Sequence, residues 1–328
     1  MQNKIDIVIA WVDGNDPAHK IKRQKYLNYQ QSLSSVEDTR FASNDEIYYN
    51  IASILKYVPY VGKIFIVTDQ QAPLALSAFQ DQGLCSKDQI QVIDHTSLFS
   101  GYEQCLPTFN SLSIEAMLWN IPNISDYFLY LNDDFFFNAP SAIEDFLIND
   151  RIKIYGHWRS NFTLKMKYQY RSWLKKQFKK EPKSKYTIAQ MLSADILGFN
   201  KYYEIHHRPH ILSKQLLEKY FEDHAEILYN QIQYKFRDFD QYLPVGLNNH
   251  LAIQQDKAIL EGDIQIAYLK NSQGIDSFCK QLVNTDFKFG CIQSLDQLND
   301  TDRLKIVEGL KYKFSDYLPN ILKSQILS

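Results

Sequence analysis

The chain is poor in cysteine, in net charge and in long apolar runs, and each shortage closes off a class of protein. Its 328 residues hold four cysteines, Cys85, Cys105, Cys279 and Cys291. None forms a C-x-x-C pair and no histidine stands at zinc-finger spacing from them, so a structural zinc site has no support. Free thiols in a reducing compartment are the expectation. Lys and Arg total 36 against 38 Asp and Glu, a formal charge of −2, so no global field draws the chain to nucleic acid. No apolar run approaches the ~18 residues of a membrane span. The opening MQNKIDIVIAWVDGND carries Asp6 inside its apolar stretch and lacks a small-residue cleavage site. It reads as a strand rather than a signal peptide. A cytoplasmic location is expected, with peripheral contact at the inner face of a membrane left open. A P-loop, a GxGxxG turn after a strand and a GxSxG elbow are all missing, which removes the usual support for kinase, dehydrogenase and α/β-hydrolase chemistry.

What is present fits a folded enzyme-sized protein. Hydrophobic residues make up 45% and charged residues 23%, which excludes a disordered, collagen-like or coiled-coil chain. The length suggests about two domains, or one large core with an insertion. Aromatic residues reach 14%, with 22 Tyr and 20 Phe. Both packed cores and surfaces that stack on sugars use such residues, and composition alone leaves both open.

Residues 1–145 alternate strand and helix signals. Ile5–Val12, Lys63–Thr68, Gln89–Asp94 and Tyr127–Leu131 are β-branched or aromatic runs that read as buried strands. Ser43-Asn44-Asp45-Glu46 has the form of a capping box, followed by Ile47, Ile51, Ile54, Leu55 and Val58 at helical spacing. Ser113–Trp119 reads as another helix. Repeated β–α–β units predict a mainly parallel α/β sheet, Rossmann-like and covered by helices on both faces. Ligands bind such sheets at the carboxyl ends of the strands. Asp13, Asp69, Asp94, Asp133 and Asp134 fall there. Residues 146–200 read as a basic, aromatic, helical insertion or lid: nine Lys and Arg lie between 165 and 185, interleaved with Tyr168, Tyr170, Trp173 and Phe178. A solvated helix face and a surface for anionic polymer or lipid headgroups both fit it. Residues 201–328 read as mostly helical.

Asn132-Asp133-Asp134, directly after the strand YFLYL, is the strongest local signal. Adjacent carboxylates at a strand end hold Mg²⁺ or Mn²⁺ against a diphosphate, although caps and turns use the same residues. Asp6 interrupts its strand and needs either water, a donor or a cation. His206, His207 and His210 lie within five residues, and a general base suits them better than zinc. Arg237 matches phosphate oxygens but is locally indistinguishable from a surface ion pair. Arg40, Asn44 and Glu46 open a helix, and Asn110 lies in a polar loop before another. Both segments suit hydroxyl recognition and, equally, capping.

Taken together, IDIVIAWVDGNDP, RFASNDEIYYNIASILKYVPYVGKIFIVTDQQAP, LPTFNSLSIEAMLWNIP and FLYLNDDFFF resemble the signature regions of the Stealth family, the sugar-1-phosphate transferases of bacterial capsules and exopolysaccharides. That family is similar to the catalytic part of the N-acetylglucosamine-1-phosphate transferase acting on lysosomal enzymes. His207 opens an H-x-P-H segment, and Arg237 follows in K-x-R. The resemblance implies that both are catalytic together with Asp6 and Asp134. Asp133 and Asp134 are the candidate metal ligands, and Arg40, Asn44, Glu46, Asn110 and Asn132 the candidate substrate-binding residues. The resemblance also implies a glycosyltransferase-A-like sheet. The fourth signature region matches only loosely around Phe289–Ser294. The implied reaction moves a hexose-1-phosphate, often N-acetylated, from a UDP-sugar to a hydroxyl of a glycan or lipid-linked oligosaccharide and releases UMP. A metal-dependent glycosyltransferase releasing UDP and a non-catalytic carbohydrate-binding protein are the alternatives.

Overall fold

The computed structural model describes residues 4–27, 45–178, 182–293 and 295–324. The first four strands are β1 (Ile5–Ala10), β2 (Val61–Thr68), β3 (Ile90–Asp94) and β4 (Tyr127–Asn132). They lie side by side in the order β4, β1, β2, β3, and every neighbouring pair is parallel. A fifth strand, His210–Ser213, runs antiparallel along the free edge of β4. The sheet is therefore mixed but mainly parallel, as the repeated β–α–β units predict.

The apolar runs explain why these strands sit in the middle of the molecule. Successive side chains of a strand point to opposite faces, and in β1 Ile5, Ile7, Val8 and Ile9 are all buried. The same holds for Ile64 to Val67 of β2 and Phe128 to Leu131 of β4. Both faces of the sheet are covered, and each of these side chains contributes roughly 1.5–3 kcal/mol by leaving water. The sequence bounds are close: β1 stops two residues short of Val12, and β2 begins two residues before Lys63.

The first helix α1 (Pro17–Gln24) was hidden in what reads as a turn. Asp16 is its N-cap, accepting from Ala18 N at 2.8 Å, and Pro17 occupies its first turn. The second, α2 (Glu46–Tyr57), starts later than the capping box implies. Asp45 stands at its N-cap with φ of 66° and gives no side-chain cap. Ser43 lies outside the described residues.

The three segments read from sequence share one hydrophobic core. Strand Arg151–Tyr155 pairs with Ala258–Glu261, and His157–Ser160 pairs with Lys201–Glu204. Residues 146–200 otherwise supply helices Phe162–Phe178 and Tyr186–Asp195. Beyond 201 the chain carries several helices and also gives the edge strand of the central sheet. All four cysteines are free. Among the described residues no helix is long and apolar enough to cross a membrane.

Asp6 is the polar exception inside β1. Its carboxylate accepts from Lys63 N at 2.7 Å and from Ser125 N at 2.8 Å, while its own N–H donates to Ser125 Oγ at 3.0 Å. It thereby ties together the chain entering β2 and the chain entering β4. Gly62 is required beside it, because a Cβ there would stand 2.4 Å from Asp6 Oδ1. Removing the carboxylate would strand two N–H groups, so Asp6→Ala is expected to lower unfolding stability by about 2–4 kcal/mol in denaturant titration. Undiminished stability would mean that these bonds are not holding the sheet.

Candidate active site

A cavity of about 550 Å³ opens at the carboxyl end of the parallel strands. The end of β1 brings Ala10, Trp11 and Val12 to it, the end of β2 Val67 and Asp69, and the end of β4 Asn132, Asp133 and Asp134. This is where a parallel sheet leaves its strand ends and helix starts unpaired with one another, and hence where ligands are received.

The acid pair is held by the strand that comes next. After Asp134 the chain forms β5 (Phe135–Phe137), which pairs antiparallel with Phe289–Ile292. Ile292 N donates to Asp134 O at 2.9 Å, and the Cys291 thiol donates to Asp134 Oδ2 at 3.5 Å. Asp134 Oδ1 is buried with no hydrogen-bond partner. Burial raises the Asp134 carboxyl to about 6, partly offset by the Cys291 contact. Burial, then Asp134 and Glu46, push Asp133 well above the ordinary carboxyl range. Carboxylates crowded and desolvated in this way are short of positive charge. Asp133 and Asp134, with Glu46 nearby, are carboxylates that could hold a divalent cation at this cavity.

His207 reaches the same place through strand register. His210 lies opposite Tyr130 in the antiparallel pair, and Ile211 lies opposite Leu129. Stepping back along the chain from His210 leads past the end of β4, toward the acid pair. The His207 ring stacks between Tyr186 at 5.3 Å and Tyr268 at 6.4 Å, with Phe135 edge-on at 6.2 Å. Burial, then His206 and Arg237, lower its pKa, so the ring is neutral and able to accept a proton at neutral pH. The other two histidines are elsewhere engaged. His206 is exposed and pairs with Asp263, and His210 is driven to about 3 by burial.

Arg237 is positioned by a stitched pair of loops. Asn110 Nδ2 donates to Phe236 O at 3.0 Å and Gln241 Oε1 at 2.8 Å. Phe109 N donates to Lys235 O at 2.8 Å, and Thr108 Oγ1 to Tyr234 O at 3.0 Å. Phe109 also stacks on Phe236 at 5.3 Å. Between these anchors the Arg237 guanidinium points into the cavity and donates to Ser111 Oγ at 2.5 Å. Its charge partner is Glu115, buried at the end of helix Ser111–Glu115. Burial pushes the Glu115 carboxyl up to about 7, with Arg237 and then the Tyr130 hydroxyl opposing.

The cavity thus gathers Glu46, Asn110, Asn132, Asp133, Asp134, His207 and Arg237 from the residues singled out in the sequence. Asn110 spends its amide on scaffolding: besides the two bonds above, its Oδ1 accepts from Leu112 N at 3.1 Å as a helix cap. Asn132 is likewise tied, accepting from Tyr130 Oη at 2.8 Å and, through its carbonyl, from Asn50 Nδ2 at 2.9 Å. Asp6 does not join them. It pairs with Phe128 while Ala10 pairs with Asn132, which sets it about 13 Å down the strand from the cavity end. Arg40 and Asn44 lie outside the described residues. Sequence reasoning missed Glu115, Ser111 and Cys291. The first two sit inside the quoted LPTFNSLSIEAMLWNIP, and an acid four residues after a capped serine was the available signal. Cys291 lies in the loosely matched fourth region, which nevertheless supplies Cys291, Ile292 and Gln293 to the cavity wall.

The raised Glu115 carboxyl has a pH signature. In the unfolded chain it ionises near the ordinary carboxyl range, in the folded chain near 7, so its contribution to stability is present at low pH and is lost as pH rises between those values. Glu115→Gln is expected to remove a part of that slope worth on the order of 1–3 kcal/mol. Urea titrations of both proteins at several pH values measure it, and parallel curves would mean that Glu115 ionises normally.

Comparison with known proteins bears on the same segments. Residues 3–31 match conserved region 1 of the Stealth proteins, and residues 40–155 match conserved region 2. A capsular polysaccharide phosphotransferase of Actinobacillus pleuropneumoniae is 40% identical over 148 residues, 44% of this chain and 38% of that protein. An exopolysaccharide phosphotransferase of Streptomyces coelicolor is 30% identical over 271 residues, 81% of this chain and 42% of that protein. The chain spans about two fifths of the length of these relatives. Among solved structures, the apo form of the bifunctional glycosyltransferase WbbM is similar at a TM-score of 0.49 and 9% identity, over 97% of this chain and 52% of that one. Both matched regions, which hold β1, β2, β4 and the acid pair, are those of Stealth proteins, and over these residues the chain is similar to that family.

Proposed function

We propose that the protein transfers a sugar-1-phosphate, N-acetylhexosamine-1-phosphate in the most specific form of the reading, from a UDP-sugar to a hydroxyl of a glycan or lipid-linked oligosaccharide in capsule or exopolysaccharide synthesis. The observation that carries it is the meeting, in one cavity, of a neutral histidine, a buried arginine and a carboxylate pair drawn from three distant stretches of chain. The phosphotransferase names of relatives up to 40% identical support the same chemistry.

The reaction needs an anionic phosphorus made open to attack and a proton taken from the acceptor. An imidazole nitrogen of His207 accepts the hydroxyl proton. The acceptor oxygen then bonds to the phosphorus adjoining the sugar, and the bond from that phosphorus to the bridging oxygen breaks, releasing UMP. Arg237 offers two N–H donors to the phosphate oxygens as negative charge builds. Glu115 and Ser111 keep the guanidinium aimed. Asp133 and Asp134 would hold Mg²⁺ or Mn²⁺, which the partnerless Asp134 Oδ1 favours. Such an ion would neutralise the diphosphate as charge passes to the leaving nucleotide. Asp6 is left to the sheet. Peripheral contact with the inner face of a membrane completes the reading where the acceptor is lipid-linked.

Three measurements test it. Incubation with UDP-sugars, Mg²⁺ or Mn²⁺ and acceptor glycans is expected to yield UMP. UDP would place the cleavage at the anomeric carbon and replace the reading with a glycosyltransferase. His207→Ala is expected to cut turnover by about 10²–10⁴ while donor affinity changes less than about twofold. Collapse of donor affinity would make His207 a phosphate ligand instead. Affinity for Mn²⁺ is expected to rise as pH climbs through about 6, where Asp134 gives up its proton, and to be lost in Asp134→Asn. Calorimetric titration reads this without turnover, and a flat pH profile would remove the metal from Asp134.

A further inference from the structure

Helix Phe162–Phe178 has two faces of different character. Its inner face carries Leu164 and Tyr168 against the core, with Tyr168 stacked on Phe239 at 5.1 Å and donating to Asp240 at 2.9 Å. Lys175 bridges Asp238 and Asp240 at 3.4 and 3.1 Å. None of the helix is fully buried. The outward face carries Phe162, Met166, Tyr170 and Trp173, spaced by four, four and three residues, so they form one stripe along the helix. They are 71%, 56%, 62% and 52% exposed, and Phe178 extends the apolar surface at 68%. Tyr170 and Trp173 stack on each other at 6.2 Å, and Phe178 meets Trp173 edge-on at 6.4 Å. Lys165, which pairs with Asp195 at 2.6 Å, and Lys176 border the stripe on one side and Lys167 on the other, by the 3.6-residue turn.

A soluble surface does not place four large apolar side chains in a row without a use for them. Cationic flanks select the occupant: an apolar stripe with Lys on both margins and a Trp within it matches the boundary between acyl chains and anionic headgroups. We infer that this helix lies flat on an anionic lipid bilayer and docks the protein there. The consequence for the proposed reaction is positional. Lys175 holds Asp238, the neighbour of Arg237, and the helix leads through residues 182–185 to Tyr186, which stacks on His207. The docking element is thus joined through its carboxyl-terminal end to the cavity's base and guanidinium, and a lipid-linked acceptor would meet them beside the bilayer. The binding surface itself stands apart from the transferase reading, which supplies only this use for it.

The test uses the full chain and vesicles with no donor or acceptor present. Wild-type protein is expected to float with vesicles of phosphatidylcholine containing about 30% phosphatidylglycerol and to bind pure phosphatidylcholine at least about tenfold more weakly. Met166→Gln with Trp173→Gln is expected to weaken binding to the anionic vesicles about tenfold or more, with an unchanged circular dichroism spectrum and unchanged turnover on a short soluble acceptor. Absence of wild-type binding, or equal binding by the variant, would overturn the inference. So would a wild-type dimer in gel filtration that the two substitutions dissociate, since the face would then join two copies. Binding to a soluble anionic polysaccharide but not to vesicles would assign it to the polymer instead. None of these outcomes bears on whether UMP or UDP is released.

Discussion

Pairing of β4 on both edges is the constraint from which the site follows. Along one edge it lies parallel to β1, and along the other it receives His210–Ser213 antiparallel. The first pairing brings the turn after β1 level with Asn132, and the second delivers the HHRPH segment over the acid pair. Because side chains alternate along a strand, a slip of one residue in either ladder would turn Phe128 and Tyr130 to the wrong face. The apolar content of YFLYL forbids that. Site geometry is thereby inherited from the hydrophobic effect acting on a strand that touches no ligand.

The charges in the cavity are arranged in separate, frustrated groups. On one side, Asp133 and Asp134 crowd each other near Glu46 with too little positive charge. On the other, Arg237 has a single buried acid, Glu115, which itself resists ionisation. Between them His207 is kept neutral by burial and by nearby positive charge. Each group keeps a charge that its neighbours only partly balance, and in the proposed reaction a diphosphate with a divalent cation would relieve both ends at once. The cluster of His157, His206 and Asp263, whose ligand atoms also lie close together, differs in this respect. It is exposed and already neutralised by Arg208 on Asp263 and by the Glu204 contact of His157.

Much of this was legible in the sequence where a local pattern dictates structure. Buried parallel strands announce themselves as uninterrupted β-branched runs, and four of the five in the central sheet were placed within about two residues. The edge strand was not, since HILS is short and is followed by a helical pattern that absorbs it. His207 and Arg237 could not be joined by spacing, because Arg237 is set by Asn110, more than a hundred residues away, and His207 by the pairing of His210–Ser213 with β4. Only resemblance to a family linked them. Resemblance also carried Asp6 toward the chemistry, whereas two backbone donors hold it at the foot of the strand. Asn110 and Asn132 are instructive in the same way: a polar residue beside a cavity reads as a ligand until its own hydrogen bonds are counted.

The cavity wall runs from Ala10 to Gln297, and the strand beside Asp134 is among its last pieces. During synthesis the chain emerges from its amino end, so β1 to β4 can align long before residues 289–293 exist. Until then Asp134 has neither the thiol of Cys291 nor the amide of Ile292 beside it, and Phe135–Phe137 is an open apolar edge suited to pairing with the wrong strand. Gly290 is what finally lets the closing strand in, because any side chain there would overlap the ring of Phe136. The site is thus assembled last, and a chain cut short before that glycine would hold a nearly complete sheet with an unfinished cavity.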